Sequence, residues 1–114
     1  MPVKMNIKPG SVVAKVETAW ERGLPVLSEE ILADCNALCK EHTGTLIQSS
    51  LIHSDLKNGR LIWQTPYARR QYWAIRIAHK DRNPFAVWKW CEAARILWGE
   101  RWARIAQKML RDSL

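Results

Sequence analysis

Asn58-Gly-Arg-Leu-Ile-Trp-Gln-Thr-Pro-Tyr-Ala-Arg-Arg-Gln-Tyr-Trp73 is the stretch on which the reading of this chain turns. Asn-Gly between apolar runs is the strongest short-range hairpin signal, because both residues accept the positive φ of a type I′ turn. A two-residue loop at Asn58-Gly59 sets Lys57 opposite Arg60, and Leu56, Ser54 and Ile52 opposite Leu61, Trp63 and Thr65. Side chains alternate along a strand, so these last six share one face, and four of them are apolar. Asp55 with Ile62 and His53 with Gln64 leave the opposite face at least half wet. Pro66 ends the second strand, having no N–H for the ladder. Beyond it, Tyr67 to Trp73 sets two adjacent guanidiniums, Arg69 and Arg70, inside an aromatic cluster.

Upstream of the hairpin, residues 45–52 are β-branched and small enough for a strand. Thr43-Gly44 before them ends a helix, the glycine supplying a left-handed position after its last turn. That helix begins after Pro9-Gly10 with Ser11 as N-cap. Its apolar stripe runs Val12, Val16, Ala19, Trp20, Leu24, Leu27, Ile31, Cys35, Leu38 and Cys39. Gly23 and Pro25 interrupt it, since Pro25 removes the bond to Glu21, while Ser28-Glu29-Glu30 could cap a restarted helix. The stripe keeps its phase across the break, which favours one helix kinked near Pro25 over two. Residues 1–9 read as an extended lead-in.

Downstream, residues 74–79 read as a third short strand and 80–83 as a charged loop. Asn83-Pro84 opens a last helix, because proline suits a first turn. Its stripe is Val87, Cys91, Ala94, Trp98, Trp102, Ile105 and Met109, with Arg101, Arg104, Lys108 and Arg111 off it and Glu100–Arg104 an i,i+4 pair. The fold class expected is α+β, a small antiparallel sheet with a long N-terminal and a long C-terminal helix packed on it.

The 114 residues make one domain, 1–114, with a single modest core. A hydrophobic content of 47% argues against disorder. No apolar run is long enough to span a bilayer and no signal peptide opens the chain, so it is expected to be made and kept in a cytoplasm. Its cysteines, Cys35, Cys39 and Cys91, are odd in number and read as reduced thiols. Charge is uneven: six Lys/Arg against seven Asp/Glu in residues 1–57, twelve against four in residues 58–114. The basic half implies an acidic partner surface or nucleic acid.

Chemistry has little to stand on. Cys35-x3-Cys39-x2-His42 with His53 or His79 has the residue types of a zinc site, but both thiols lie in the apolar stripe, where cysteine is an ordinary small core residue. No phosphate loop, nucleophile motif or paired carboxylates are present, so no enzyme, metal or cofactor is expected. Tyr67, Arg69, Arg70, Tyr72 and Trp73 stand out instead, because Tyr, Trp and Arg dominate interface hot spots. The plainer alternative is a pair of surface arginines stacked on aromatic neighbours. Trp88, Trp90, Trp98 and Trp102 point several ways around the last helix, so some are expected to face another subunit, the sheet edge or a partner.

Thr65-Pro-Tyr-Ala-Arg-Arg-Gln-Tyr72 resembles the signature of the small minor capsid proteins of long-tailed bacteriophages, which are similar to head–tail joining, or tail-completion, proteins of the phage neck. His42-Thr43-Gly44-Thr45-Leu46 with Ser49 and Ser50 resembles the loop motif after that family's first helix. Asn83-Pro84-Phe85-Ala86 with Trp90, Glu92 and Ala94 resembles the opening of its last. The chain departs from the pattern at His42, Ala74 and Pro25. The resemblance, over about residues 8–110, implies a structural virion protein that forms a ring, a hexamer or dodecamer, at the neck. Its neighbours would be the head-completion or connector protein and the tail tube protein, with DNA passing through without sequence-specific binding and no membrane contact. The alternative from the residues alone is a small basic nucleic-acid-binding module, which predicts a steep salt dependence.

Overall fold

Two long helices and a two-stranded sheet carry the core of the computed structural model, which describes residues 2–6, 14–41, 44–76 and 81–112. The order is β1 (Val3–Asn6), α1 (Ala14–Ala37), α2 (Thr45–His53), a 3-10 turn at Leu56–Asn58, β2 (Arg60–Trp63), α3 (Ala68–Trp73) and α4 (Trp90–Asp112). This is the expected α+β class, drawn out to 49 × 24 × 18 Å by α1 and α4.

α1 runs through Pro25 as one helix, so the in-phase stripe outweighs the one bond that proline removes. Leu27, Ile31 and Cys35 share one buried core cluster with Cys91, Ala94 and Trp102 of α4, and Leu24 is buried as well. The two helices are latched at their polar margin: Trp102 Nε1 donates to Asp34 Oδ2 at 2.7 Å, and Arg101 pairs with the same carboxylate. Arg101 is thereby engaged, and Glu100 and Arg104 form no ion pair among the described residues. Glu92 and Arg95 do.

The sheet differs from expectation in its pairing. β2 is antiparallel to β1, with Val3 opposite Trp63 and Met5 opposite Leu61, so part of the supposed lead-in is a strand. Residues 45–52 are not a strand but lie in α2. Its buried positions are Leu46, Ser49 and Ser50, the i, i+3, i+4 spacing of a helix, and two serines among the three hide the apolar period. Those hydroxyls donate to Leu46 O and Ile47 O, both at 2.6 Å.

The Asn58-Gly59 turn is not type I′. Only Gly59 has positive φ, at 68°, and Asn58 belongs to the 3-10 turn, its side-chain amide donating to Asp55 Oδ2 at 2.7 Å. The strand partner shrinks to a single bridge, Asp55 with Arg60, and Lys57 does not face Arg60. Gly44 does take positive φ, 81°, but as N-cap of α2, because α1 ends at Ala37; Thr43 lies outside the described residues. That end is set from afar, since Asn83 Nδ2 donates to Ala37 O at 2.8 Å and Cys39 O at 2.9 Å.

The same asparagine explains why α4 starts at Trp90 rather than Pro84. Its Oδ1 accepts from Phe85 N–H, and its carbonyl from Ala86 N–H, which makes residues 83–86 a turn. Val87 N–H is then taken by Leu38 O at 3.0 Å. Of the proposed third strand, residues 74–76 are irregular and 77–79 lie outside the described residues. Trp90 and Trp102 are buried, with Trp88 and Trp98 half-buried. The fold itself absorbs most of what looked like surplus aromatic surface.

Candidate protein interface

α3 forms because Pro66 cannot extend the strand and the chain turns at once: Ala68 N–H donates to Thr65 O and Gln71 N–H to Tyr67 O. Ala68 is fully buried at the pivot. Tyr72 packs edge-on against Trp90, centroids 4.8 Å apart, and Trp90 packs likewise on Trp63 at 6.0 Å. An unbroken aromatic chain therefore ties α3 to the centre of the core. Burial pushes the Tyr72 phenol upward, so it stays protonated at any physiological pH.

The far end of α3 is held by a residue that sequence reasoning missed. Lys40 Nζ donates to three carbonyls, Gln71 O at 2.8 Å, Ala74 O at 2.6 Å and Arg76 O at 3.1 Å. These are helix-terminal and following carbonyls, the groups that a helix end leaves without an intrahelical donor, and an ammonium has three N–H groups to match. Lys40 is buried, and that burial lowers its pKa despite the opposing pull of Asp81. A single lysine after Leu38-Cys39 carries no local signal of this role, since its targets lie over thirty positions away.

The predicted cluster divides across this small helix. Arg69, Tyr72 and Trp73, at i, i+3 and i+4, share a groove with Pro2, Val3 and Lys4 of the β1 side. Tyr67 and Arg70 line another with Lys40, Gln71, Ala74 and Arg76. Tyr67 and Trp73 are 64% and 54% exposed, and both arginines are exposed. Lys89, the single non-glycine site of positive φ among the described residues, bonds Tyr72 O through its N–H at 2.7 Å. Its ammonium lies 4.9 Å from the Trp73 ring and 4.5 Å from that of Trp88. Exposed aromatic faces and guanidiniums thus stand on a helix fixed at both ends.

Elsewhere the chemistry is quiet. Cys35, Cys39 and Cys91 are buried, free thiols; burial raises the pKa of Cys39, and a hydrogen bond with Cys35 followed by burial raises that of Cys91, which favours the unreactive protonated form. Among the described residues no group of His, Cys, Asp and Glu could hold a metal ion; His42 and His79 lie outside them. His53 is exposed at the end of α2. No described helix is long and apolar enough to cross a membrane.

The described residues thus form a small α+β fold in which α3 presents exposed aromatic rings and guanidiniums. Residues 3–110 match the family described as minor capsid protein, and the chain belongs to that family. It is a structural protein of the bacteriophage virion. Comparison with curated proteins and with solved structures gave no match.

Proposed function

We propose that the chain joins the phage head to the tail, as a ring of identical subunits at the neck, with α3 as a principal contact. The observation that carries this is the exposed Tyr67, Arg69, Arg70 and Trp73 on a helix anchored by Lys40 and by the Tyr72–Trp90–Trp63 stack. Aromatic side chains lose little entropy on binding, and guanidiniums present planar, bidentate donors to carboxylates and carbonyls. A closed ring, a hexamer or dodecamer, offers one face to the connector or head-completion protein and the other to the tail tube. DNA passes through the channel without sequence-specific contact.

The test is an in vitro joining assay with filled capsids and free tails. Arg69→Ala with Arg70→Ala is expected to leave a folded, soluble protein with a near-normal melting curve that fails to join them. Normal joining by the double variant, or its simple unfolding, would remove α3 from the interface.

A further inference from the structure

The two edges of the sheet are finished differently. On β2 the outward amides are occupied: Ile62 N–H donates to Ser54 Oγ at 2.9 Å and Gln64 N–H to Ser49 Oγ at 3.1 Å. Arg60 exchanges both backbone bonds with Asp55, at 2.8 and 2.9 Å. Backbone groups alternate in direction along an antiparallel strand, so Leu61 and Trp63 are the β2 residues turned toward β1. Their partners are Met5 and Val3. Lys4, opposite Ile62, therefore turns its N–H and C=O outward, and among the described residues no backbone group pairs with them.

A groove of about 350 Å³ runs along this edge, with Pro2, Val3 and Lys4 on one wall and Arg69, Tyr72 and Trp73 on the other. Pro2 precedes β1, while Val3 and Lys4 are consecutive strand residues whose side chains alternate between faces, so their shared wall is largely backbone. Its lining holds two cations and two aromatic rings and no carboxylate, and the Lys89 ammonium stands over Trp73.

We propose that this groove receives an extended segment of a partner protein, which adds a strand to β1. The segment carries carboxylates opposite Lys4 and Arg69 and an apolar side chain against Tyr72 and Trp73. Strand addition takes affinity from main-chain bonds and specificity from alternate side chains. Charge selects the occupant. Antiparallel pairing of β1 with β1 of a second copy brings cation beside cation, and lysine on an edge strand opposes that. Nucleic acid supplies the negative charge but neither the strand backbone nor the apolar side chain. The inference rests on α3 being an interface and names the kind of chain it meets.

The experiment titrates isotope-labelled full-length protein with an acetylated Asp-Val-Glu-Phe-Asp-Val peptide, its Lys-Val-Lys-Phe-Lys-Val counterpart and a short DNA duplex. The acidic peptide is expected to shift the Lys4, Arg69 and Trp73 signals and to slow hydrogen exchange at the Lys4 amide. Lys4→Pro removes that outward N–H without touching the β1–β2 ladder and is expected to weaken binding roughly tenfold or more. Should that variant unfold, Lys4→Glu with Arg69→Glu decides alone, since it keeps the backbone and is expected to invert the preference toward the basic peptide. Acidic-peptide binding that leaves Lys4 exchange unchanged overturns strand addition. Equal binding of the basic peptide or the duplex overturns the acidic partner. If the peptide binds as expected while Arg69→Ala/Arg70→Ala still joins heads to tails, α3 is not the joining contact and the groove stands. Loss of joining with no peptide binding does the reverse.

Discussion

Lys40 and Gly59 show how much one side chain, or its absence, can decide here. An ammonium buried among three carbonyls replaces the missing donors at the end of α3. Lys40→Met fills the same space but leaves those oxygens without a donor. It is expected to lower stability by about 1.5–3 kcal/mol, and hydrogen exchange should quicken around residues 71–76 before the rest of the domain. A melting curve that does not move would show that water caps α3 as well as the lysine does. Gly59 closes the 3-10 turn with φ 68° and ψ 30°. A β-branched side chain in that left-handed region costs about 1–2 kcal/mol, so Gly59→Val should lower Tm by several degrees. An unchanged Tm would mean the turn re-forms without the left-handed residue.

Among the elements, α1 and α4 matter most, and Gly23 of α1 lies directly against Met109 of α4. A Cβ at that position would overlap the thioether of Met109. Gly23→Val is therefore expected to destabilise the domain by about 1–3 kcal/mol through overpacking. Met109→Ala in the same chain should recover part of the loss, giving a coupling of roughly 0.5 kcal/mol or more in a double-mutant cycle. Strict additivity would place the strain elsewhere. Pro25, two positions on, leaves α1 unbroken, which fits a helix held by its buried face more than by any one backbone bond. α2 shows the converse. Its serines make it a poor match to any apolar template, yet Ser49 and Ser50 bond carbonyls three residues back, and Ser49, with Ser54 just past the helix, accepts from amides along the β2 edge.

At the scale of the whole molecule, the positive charge gathers in the second half, on exposed residues such as Arg69, Arg70, Arg104, Lys108 and Arg111. If that charge serves protein contacts in a ring, duplex DNA should bind the isolated protein only at micromolar strength or weaker at physiological salt, with a steep salt slope and no sequence preference. Fluorescence anisotropy with several duplexes checks this. A tight, sequence-selective complex would favour a nucleic-acid-binding module instead.

What is periodic or compositional could be read directly from the chain. The stripes of α1 and α4, the buried cysteines at their contact and the α+β class all follow from spacing and residue type. So did the membership implied by Thr65 to Tyr72, which a match over residues 3–110 bears out. Tertiary structure alone decided the rest, because the deciding partners are remote. β2 chose β1, nearly sixty residues away, over its own neighbour, since the turn before it formed with one left-handed residue instead of two. Asn83 ended α1, and Lys40 closed α3 across a separation of 31 to 36 positions. A hydrogen bond to a distant carbonyl leaves no period in the sequence, so no reading of local pattern could have found these contacts.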